Sequence, residues 1–418
     1  MVDMPSKHIP TSRRLIAIII LILFVISVFV LVYFTPALKE KLDRKWDFTL
    51  VYLRSVLQPV GGLPTPEAAS TIATSTPLAI TPTSFSSADR PPTPASLPSR
   101  VVLTPPNYVA SRDQETWNNC GPATLALYLR LYGWNGDQAT IAKVVKPFDS
   151  DRNVNVDELR DYVRSYAGWL DAEFRVGGNI ELLRQLIAAG YPVMIEEAFI
   201  VSEDYWINDD HWTGHYLLLT GYDDTQGAFV TQDVYQGPNH WVSYADLDKN
   251  WQAFNRVYLL VFPSDKTSSL QSLLGDNWDE TINRQNALKT AQAEAQANAL
   301  NAFAWFNVGS NLTYLERYSE AAAAFDRARQ IGLPQRMLRY QFGPFVAYFQ
   351  TRRIDDLMAL TQYALERTPN SEEALLWRGW ALYLKGNRTG AKEAFQQALR
   401  YHPGYADAVS AINYLNSK

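Results

Sequence analysis

An α+β domain followed by an all-α helical-repeat domain, both downstream of one apolar N-terminal helix, is the architecture this sequence predicts. Three observations carry it. Leu15–Phe34, LIAIIILILFVISVFVLVYF, is twenty residues without a charge, long enough to cross a bilayer as a single helix. Between Tyr108 and Pro263 helical patterns come first and strand patterns later, the order of an α+β rather than a doubly wound domain. From Leu270 onward only helical periodicity remains, with a recurring spacing of Trp, Gly, Phe and Ala. The resulting division is 1–37 tail and transmembrane anchor, 38–60 juxtamembrane segment and 61–106 linker. The α+β domain follows over 107–263, then a helical connector over 264–301 and the repeats over 302–418.

The basic residues flanking the apolar run are nearly balanced: Lys7, Arg13 and Arg14 before it, Lys39, Lys41, Arg44 and Lys45 after it. Orientation is therefore weakly specified by charge. A cleavable signal peptide is the alternative, but the run is long for one, and an uncleaved single-pass anchor in the cell membrane is the expectation. Residues 61–106 are dominated by Pro, Ser, Thr and Ala, a composition that cannot bury enough apolar surface to fold and instead spaces a domain from its anchor. Such a stalk favours soluble domains outside the cytoplasm. A net charge of -5 with 47% hydrophobic residues gives no reason to expect a nucleic-acid partner.

Within the α+β domain, Gly121-Pro122 followed by ATLALYLRLYGW predicts a helix with Pro in its first turn and Gly133 at its end. Asn155-Val156-Asp157-Glu158 predicts a capping box opening a second helix. Asn179 to Ala189 predicts a third, stopped by Gly190. Strands are predicted over Tyr191–Phe199, His215–Tyr222, Gly227–Asp233 and Arg256–Phe262, with Asp223–Gln226 as a hairpin turn.

In the C-terminal region Trp305, Gly309, Phe325 and Ala328 reappear as Trp377, Gly379-Trp380, Phe395 and Ala398. The spacing leaves room for one degenerate copy over Arg339–Pro369, and Tyr405–Leu415 is placed to cap the stack. The pattern resembles the tetratricopeptide repeat, of about 34 residues per helix pair. That resemblance implies a platform for a peptide or partner protein.

The chemistry concentrates at the single cysteine of the chain, in Trp117-Asn118-Asn119-Cys120-Gly121-Pro122-Ala123. One cysteine forms no internal disulfide and no thiolate zinc cage. It is either a small buried hydrophobe or a reactive thiol. The predicted helix start favours reactivity, because first-turn N–H groups and the helix dipole stabilise a negative sulfur. Asn119 is expected to cap that helix. Of the five histidines, His211, His215 and His240 lie in the same domain after Cys120. His215 opens a predicted apolar strand that would hold its ring rigid, and the hairpin across Asp224-Thr225 would return Asp233 alongside it, placed to fix the useful tautomer. His240, after Gly237-Pro238-Asn239, is the rival base. Asp209-Asp210-His211 with His215 could suggest a metal, but Gly214 argues against a helix that would bring both rings together. Glu196-Glu197, Glu203-Asp204 and Asp209-Asp210 are read as an acidic rim near His215, or simply a solvated loop.

As a set, these residues resemble the C39-like cysteine peptidases, which share the papain-like fold. The resemblance rests on Gln114, Cys120-Gly121-Pro122-Ala123, His215-Tyr216 with its apolar strand through Gly221-Tyr222, and Asp233, and it covers roughly Pro105 to Pro263. It implies a triad of Cys120, His215 and Asp233, with Gln114, six residues before the cysteine, in the oxyanion hole. It implies peptide-bond hydrolysis of a peptide or protein substrate by acyl transfer, with no metal and no organic cofactor. Asn119 stands where the family commonly has Asp, and Val234 where it commonly has Pro. No nucleotide-binding domain accompanies the domain in this chain, so an exporter-coupled substrate does not carry over. Two alternatives stay open: an amidase or transpeptidase acting on cell-wall peptides, and a catalytically inert scaffold that binds peptides.

Overall fold

The computed structural model describes residues 11–59, 61–66, 97–105, 107–146 and 153–417. Residues 67–96, most of the predicted linker, lie outside them. The chain divides into two compact units, Met1–Pro59 with Asp204–Asn208, and Val60–Glu203 with Asp209–Lys418.

The first unit holds helices Thr11–Phe34 and Pro36–Leu57. They break at Thr35, whose extended backbone is what the residue before a proline prefers. Ile16, Ile20, Phe24 and Leu31 of the first helix are exposed. Among the described residues no helix is long and apolar enough to cross a membrane. The Leu15–Phe34 stretch is helical, within Thr11–Phe34.

The second unit is built on one antiparallel sheet. Its strands are β1 (Arg100–Val102), β2 (Leu170–Arg175), β3 (Val193–Ile200), β4 (Trp212–Asp223), β5 (Ala228–Asp233), β6 (Gly237–Ser243) and β7 (Tyr258–Pro263). The order is β2-β7-β3-β4-β5-β6. β3 pairs with β4 as far as Leu219, and β1 continues with Gly221–Asp223. The linker expected to run through residue 106 therefore ends in a strand. Three residues are too few to show a period, but Val101 and Val102 are β-branched and meet a stretch of β4 that β3 leaves unpaired. β2 and β6 were likewise not expected. β2, Leu-Asp-Ala-Glu-Phe-Arg, does alternate apolar and polar residues, a strand signal the sequence reading passed over; Asp171 and Glu173 on its polar side both pair with Arg164.

Alternate residues of the central strands enter two cores. Met194, Leu218, Leu259 and Val261 face one, with the Cys120–Arg130 and Val156–Tyr166 helices. Ile195, Leu217, Leu219, Leu260 and Phe262 face the other, with helices Ile180–Ala188, Tyr244–Trp251 and Thr267–Leu274. Burial on both faces explains why these strands read as nearly continuous apolar runs. The capping box at Asn155 and Glu158 is present, as is the hairpin turn between β4 and β5.

Beyond β7 the chain is helical. Three helix pairs follow the Glu280–Ala297 helix: Ala302–Tyr314 with Tyr318–Ile331, Gly343–Gln350 with Ile354–Arg367, and Glu372–Leu384 with Arg388–Tyr401. Ala406–Ser417 closes the stack. The recurring glycine has a steric reason. A Cβ at Gly309 would stand 2.6 Å from the Phe325 ring, and one at Gly379 would stand 2.3 Å from Phe395. The glycine opens the space its own partner helix fills.

Candidate active site

Cys120 is the first residue of the Cys120–Arg130 helix. Gly121 to Leu129 of that helix are buried, so its position is set by packing. Gly121 allows close approach to β4: a Cβ there would stand 3.3 Å from the Tyr216 ring. Thr124 Oγ1 donates to Tyr216 O at 3.2 Å. Tyr128 Oη donates to Pro192 O and accepts from Val261 N at 3.0 Å. The helix bearing the sulfur is thereby locked to the strand bearing His215.

Asn119 does not cap this helix; its side chain makes no cap hydrogen bond. Its amide instead donates to Gln138 Oε1 at 2.7 Å. The same Gln138 oxygen accepts from Thr116 N at 3.0 Å, and Gln138 Nε2 donates to Arg112 O at 2.9 Å and Gln114 O at 2.7 Å. One buried side chain thus organises the whole approach to the cysteine. Lys146 Nζ adds a bond to Asn118 O at 2.8 Å, where Asn118 takes the left-handed conformation, φ 56°. Neither Gln138 nor Lys146 was singled out in the sequence, because nothing in local pattern says what a polar side chain will reach.

The hairpin brings His215 and Asp233 together: His215 Nε2 lies 2.9 Å from Asp233 Oδ1. That oxygen also accepts from Tyr235 N at 2.7 Å and Gln236 N at 3.0 Å. Cys120 Sγ lies within 4.8 Å of a nitrogen of the same ring, and with Nε2 engaged by Asp233 the nitrogen left for it is Nδ1. Burial opposes charge on His215, but the bonds to Asp233 and Cys120 and the negative charges of Asp233 and Glu115 outweigh it, raising its pKa well above 6.5. Burial likewise works against ionising Asp233, yet the His215 bond and charge and the two backbone N–H groups hold it below 3.8. The rings of Phe199 and Tyr235 flank the imidazole, with centroids at 5.1 and 6.3 Å. His240, the rival base, is exposed on β6 opposite Thr231. His211 directs Nδ1 to Val201 O at 3.0 Å.

Gln114 sits at the rim. Its amide donates to Tyr235 O at 2.8 Å, its oxygen accepts from Tyr108 Oη at 3.2 Å, and it is exposed. Glu115, next in sequence, comes closer: a carboxylate oxygen, Cys120 Sγ and a His215 ring nitrogen all lie within 4.8 Å of one another. That spacing could also hold a divalent cation. Sequence reasoning passed over Glu115, although it neighbours Gln114 in the same loop.

The expected acidic rim is not what Glu196, Glu197 and Asp209 form. Glu196 and Glu197 are buried in β3, a strand paired on both sides, and Asp209 is ion-paired with Arg336. Glu197 stands opposite His215 in the β3–β4 register. Its Oε2 has no hydrogen-bond partner, and burial, with Asp233 nearby, pushes its carboxyl up to about 8 against the pull of His215.

This geometry coincides with a family assignment. Residues 106–259 match the C39-like peptidase family model. Residues 372–405 match the tetratricopeptide repeat model. Among solved structures, a Bacillus anthracis protein assigned as a C39-like peptidase is 17% identical, over 39% of this chain and 97% of that one, with a TM-score of 0.30. Xylellain, a cysteine protease from Xylella fastidiosa, is 15% identical over 40% of this chain and 87% of its own, with a TM-score of 0.31. YrrB, a tetratricopeptide protein with an unusual peptide-binding site, is 17% identical over 35% and 88%, with a TM-score of 0.19. No curated protein matches. Residues 106–259 are thus similar to the C39-like peptidases, and residues 372–405 to the tetratricopeptide repeat.

Proposed function

We propose that the C39-like domain is a cysteine peptidase that cleaves peptide bonds by acyl transfer. The observation that carries this reading is the His215 ring, held at 2.9 Å by Asp233 on one nitrogen and with Cys120 Sγ within 4.8 Å of a ring nitrogen. In this reading His215 takes the thiol proton and Cys120 Sγ attacks the scissile carbonyl. The Cys120 N–H at the helix start and the Gln114 amide, once released from Tyr235 O, donate to the oxyanion, each worth about 3 kcal/mol in such sites. Protonated His215 passes its proton to the leaving amine, and water then hydrolyses the thioester. Glu115, beside sulfur and ring, favours the imidazolium. The repeats recruit the substrate or a partner protein. The exposed Ile16, Ile20, Phe24 and Leu31 of the first helix support an anchoring role in a membrane, with the domains on its outer side.

A second reading has its own support. The Gln114 amide is engaged by Tyr235 O rather than turned to the sulfur, as suits an inert domain that binds peptides and scaffolds a complex. Alkylation separates the two, since Cys120 is the only thiol. Iodoacetamide should label the protein much faster than an ordinary thiol, and His215→Ala should slow labelling about tenfold or more. Casein or a peptide library should then be cut by the wild type and not by Cys120→Ser. Slow labelling indifferent to His215 would sink the peptidase and leave the scaffold.

A further inference from the structure

Part of the expected linker lies on the helical repeats. Arg329, in the last turn of the Tyr318–Ile331 helix, donates to the Pro64 carbonyl from Nε at 3.1 Å and from Nη2 at 2.6 Å. Arg367, the last residue of the Ile354–Arg367 helix, donates from Nη2 to Gly61 O at 2.8 Å. Between these bonds Leu63 packs against the apolar core that includes both helices. Two guanidinium groups on successive helix pairs thus read two main-chain carbonyls three residues apart, and an apolar contact fills the gap.

The surface is built beforehand. The Arg329 side chain is 1% exposed. Its Nη1 is committed to Tyr348 Oη and Asp356 Oδ1, each at 2.9 Å. Arg353 bridges Asp326 and Asp356, which fixes the carboxylates that orient Arg329. What this network leaves over is one edge of the guanidinium, and that edge holds the Pro64 carbonyl. Arg367 is held similarly, with its guanidinium 5.0 Å over the Tyr363 ring. A planar donor with locked orientation binds a carbonyl at low ordering cost. The ligand is also prepared: Pro64 and Pro66 have fixed φ and no N–H, so an extended conformation is close to their free state.

We propose that Gly61–Pro64 is a cis-bound ligand of the repeat array. The surface of Arg329 and Arg367 is a binding site for extended peptides of Leu-Pro type, kept occupied by the chain's own segment. A peptide supplied in trans must displace it. The array is therefore closed by default, and whatever pulls residues 61–66 away opens it. This holds whether or not Cys120 is catalytic.

The test uses the full-length chain and a fluorescein-labelled peptide of the sequence Val60–Pro66. Leu63→Asp places a charge where the segment packs and should release it. The wild type should bind the labelled peptide weakly. The Leu63→Asp chain should bind it about tenfold tighter or more, since the occupied fraction no longer taxes affinity. Adding Arg367→Ala to Leu63→Asp should remove that gain. Limited proteolysis is the second readout: cleavage between residues 61 and 66 should accelerate in Leu63→Asp while the repeats stay intact. Equal binding by wild type and Leu63→Asp, or binding by neither when the segment has become cleavable, would overturn the proposal.

Discussion

Glu197 is a carboxyl in a place that does not suit its charge. It is 5% exposed, one oxygen lacks a partner, and its pKa is pushed up to about 8. Between the ordinary 4.5 and about 8, the unfolded chain has lost this proton and the folded chain keeps it. The folded state then binds more protons, so stability falls as pH rises through that window, by up to about 1.4 kcal/mol per pH unit for one such group. His215 moves stability in the same direction for a different reason, its partners favouring the charged form. Its raised value means its contribution is full below 6.5 and is lost as pH climbs through the folded value. Asp233, lowered, contributes above 3.8 and loses it as pH falls through its folded value. Glu197→Gln removes only the first of these. Its thermal midpoint should decline less steeply than the wild type's between about pH 5 and pH 8, the two differing most at the alkaline end. Parallel curves would mean that Glu197 ionises normally in the folded protein.

At the scale of elements, the nucleophile loop depends on the start of the Gln138–Val145 helix. Gln138 spends all its hydrogen-bonding on residues 112–119. Gln138→Leu keeps the volume and strands those partners; unsatisfied buried groups cost about 1–3 kcal/mol each. The expected result is slower alkylation of Cys120 with His215 and Asp233 unaltered, measured alongside a thermal melt. Unchanged alkylation in a folded variant would show the loop to be held by packing alone. This is also where the sequence stops being legible. The sequence placed His215 and Asp233 on neighbouring strands of one hairpin, but the turn's own register, Asp223 opposite Ala228, would set them on opposite faces; the register shift between Leu219 and Gly221, which no local pattern announces, brings Asp233 onto the face of His215. The first and third helix pairs were legible because their glycine–phenylalanine spacing repeats, and the middle pair from the room left between them. Gln138, Glu115 and Glu197 were not, because their roles rest on tertiary contacts with no local period. β6 was missed since it opens with Gly237-Pro238 and is mostly exposed, which hides any alternation.

For the second unit as a whole, the repeats do more than hang beside the sheet. Asn255 and Asn311 exchange side-chain hydrogen bonds at 2.9 and 3.2 Å. Asn307 Nδ2 donates to Gln252 O, and Gln341 Nε2 donates to Ala253 O, each at 2.8 Å. Arg256 pairs with Glu294 at 2.7 Å. Trp212 stacks on Phe254 at 5.6 Å, and Tyr340 meets both rings edge-on. Tyr340 also hydrogen-bonds Thr213, and a Cβ at Gly214 would stand 3.2 Å from its ring. Thr213 and Gly214 immediately precede His215, so a repeat residue buttresses the strand that presents the imidazole. An interface this buried, joined by paired amides and stacked rings, should not behave as a loose joint between independent domains. Sheet and repeats should therefore unfold in one cooperative transition, with calorimetric and van't Hoff enthalpies in agreement for that transition. Tyr340→Ala removes a half-buried aromatic from this joint, a loss below the ~3–5 kcal/mol of a fully buried ring. It should lower the midpoint of that single transition and slow Cys120 alkylation, although Tyr340 lies outside the triad. Two separate transitions, with only the repeat transition moved and Cys120 reactivity untouched, would show that the array is an appendage whose role ends at recruitment.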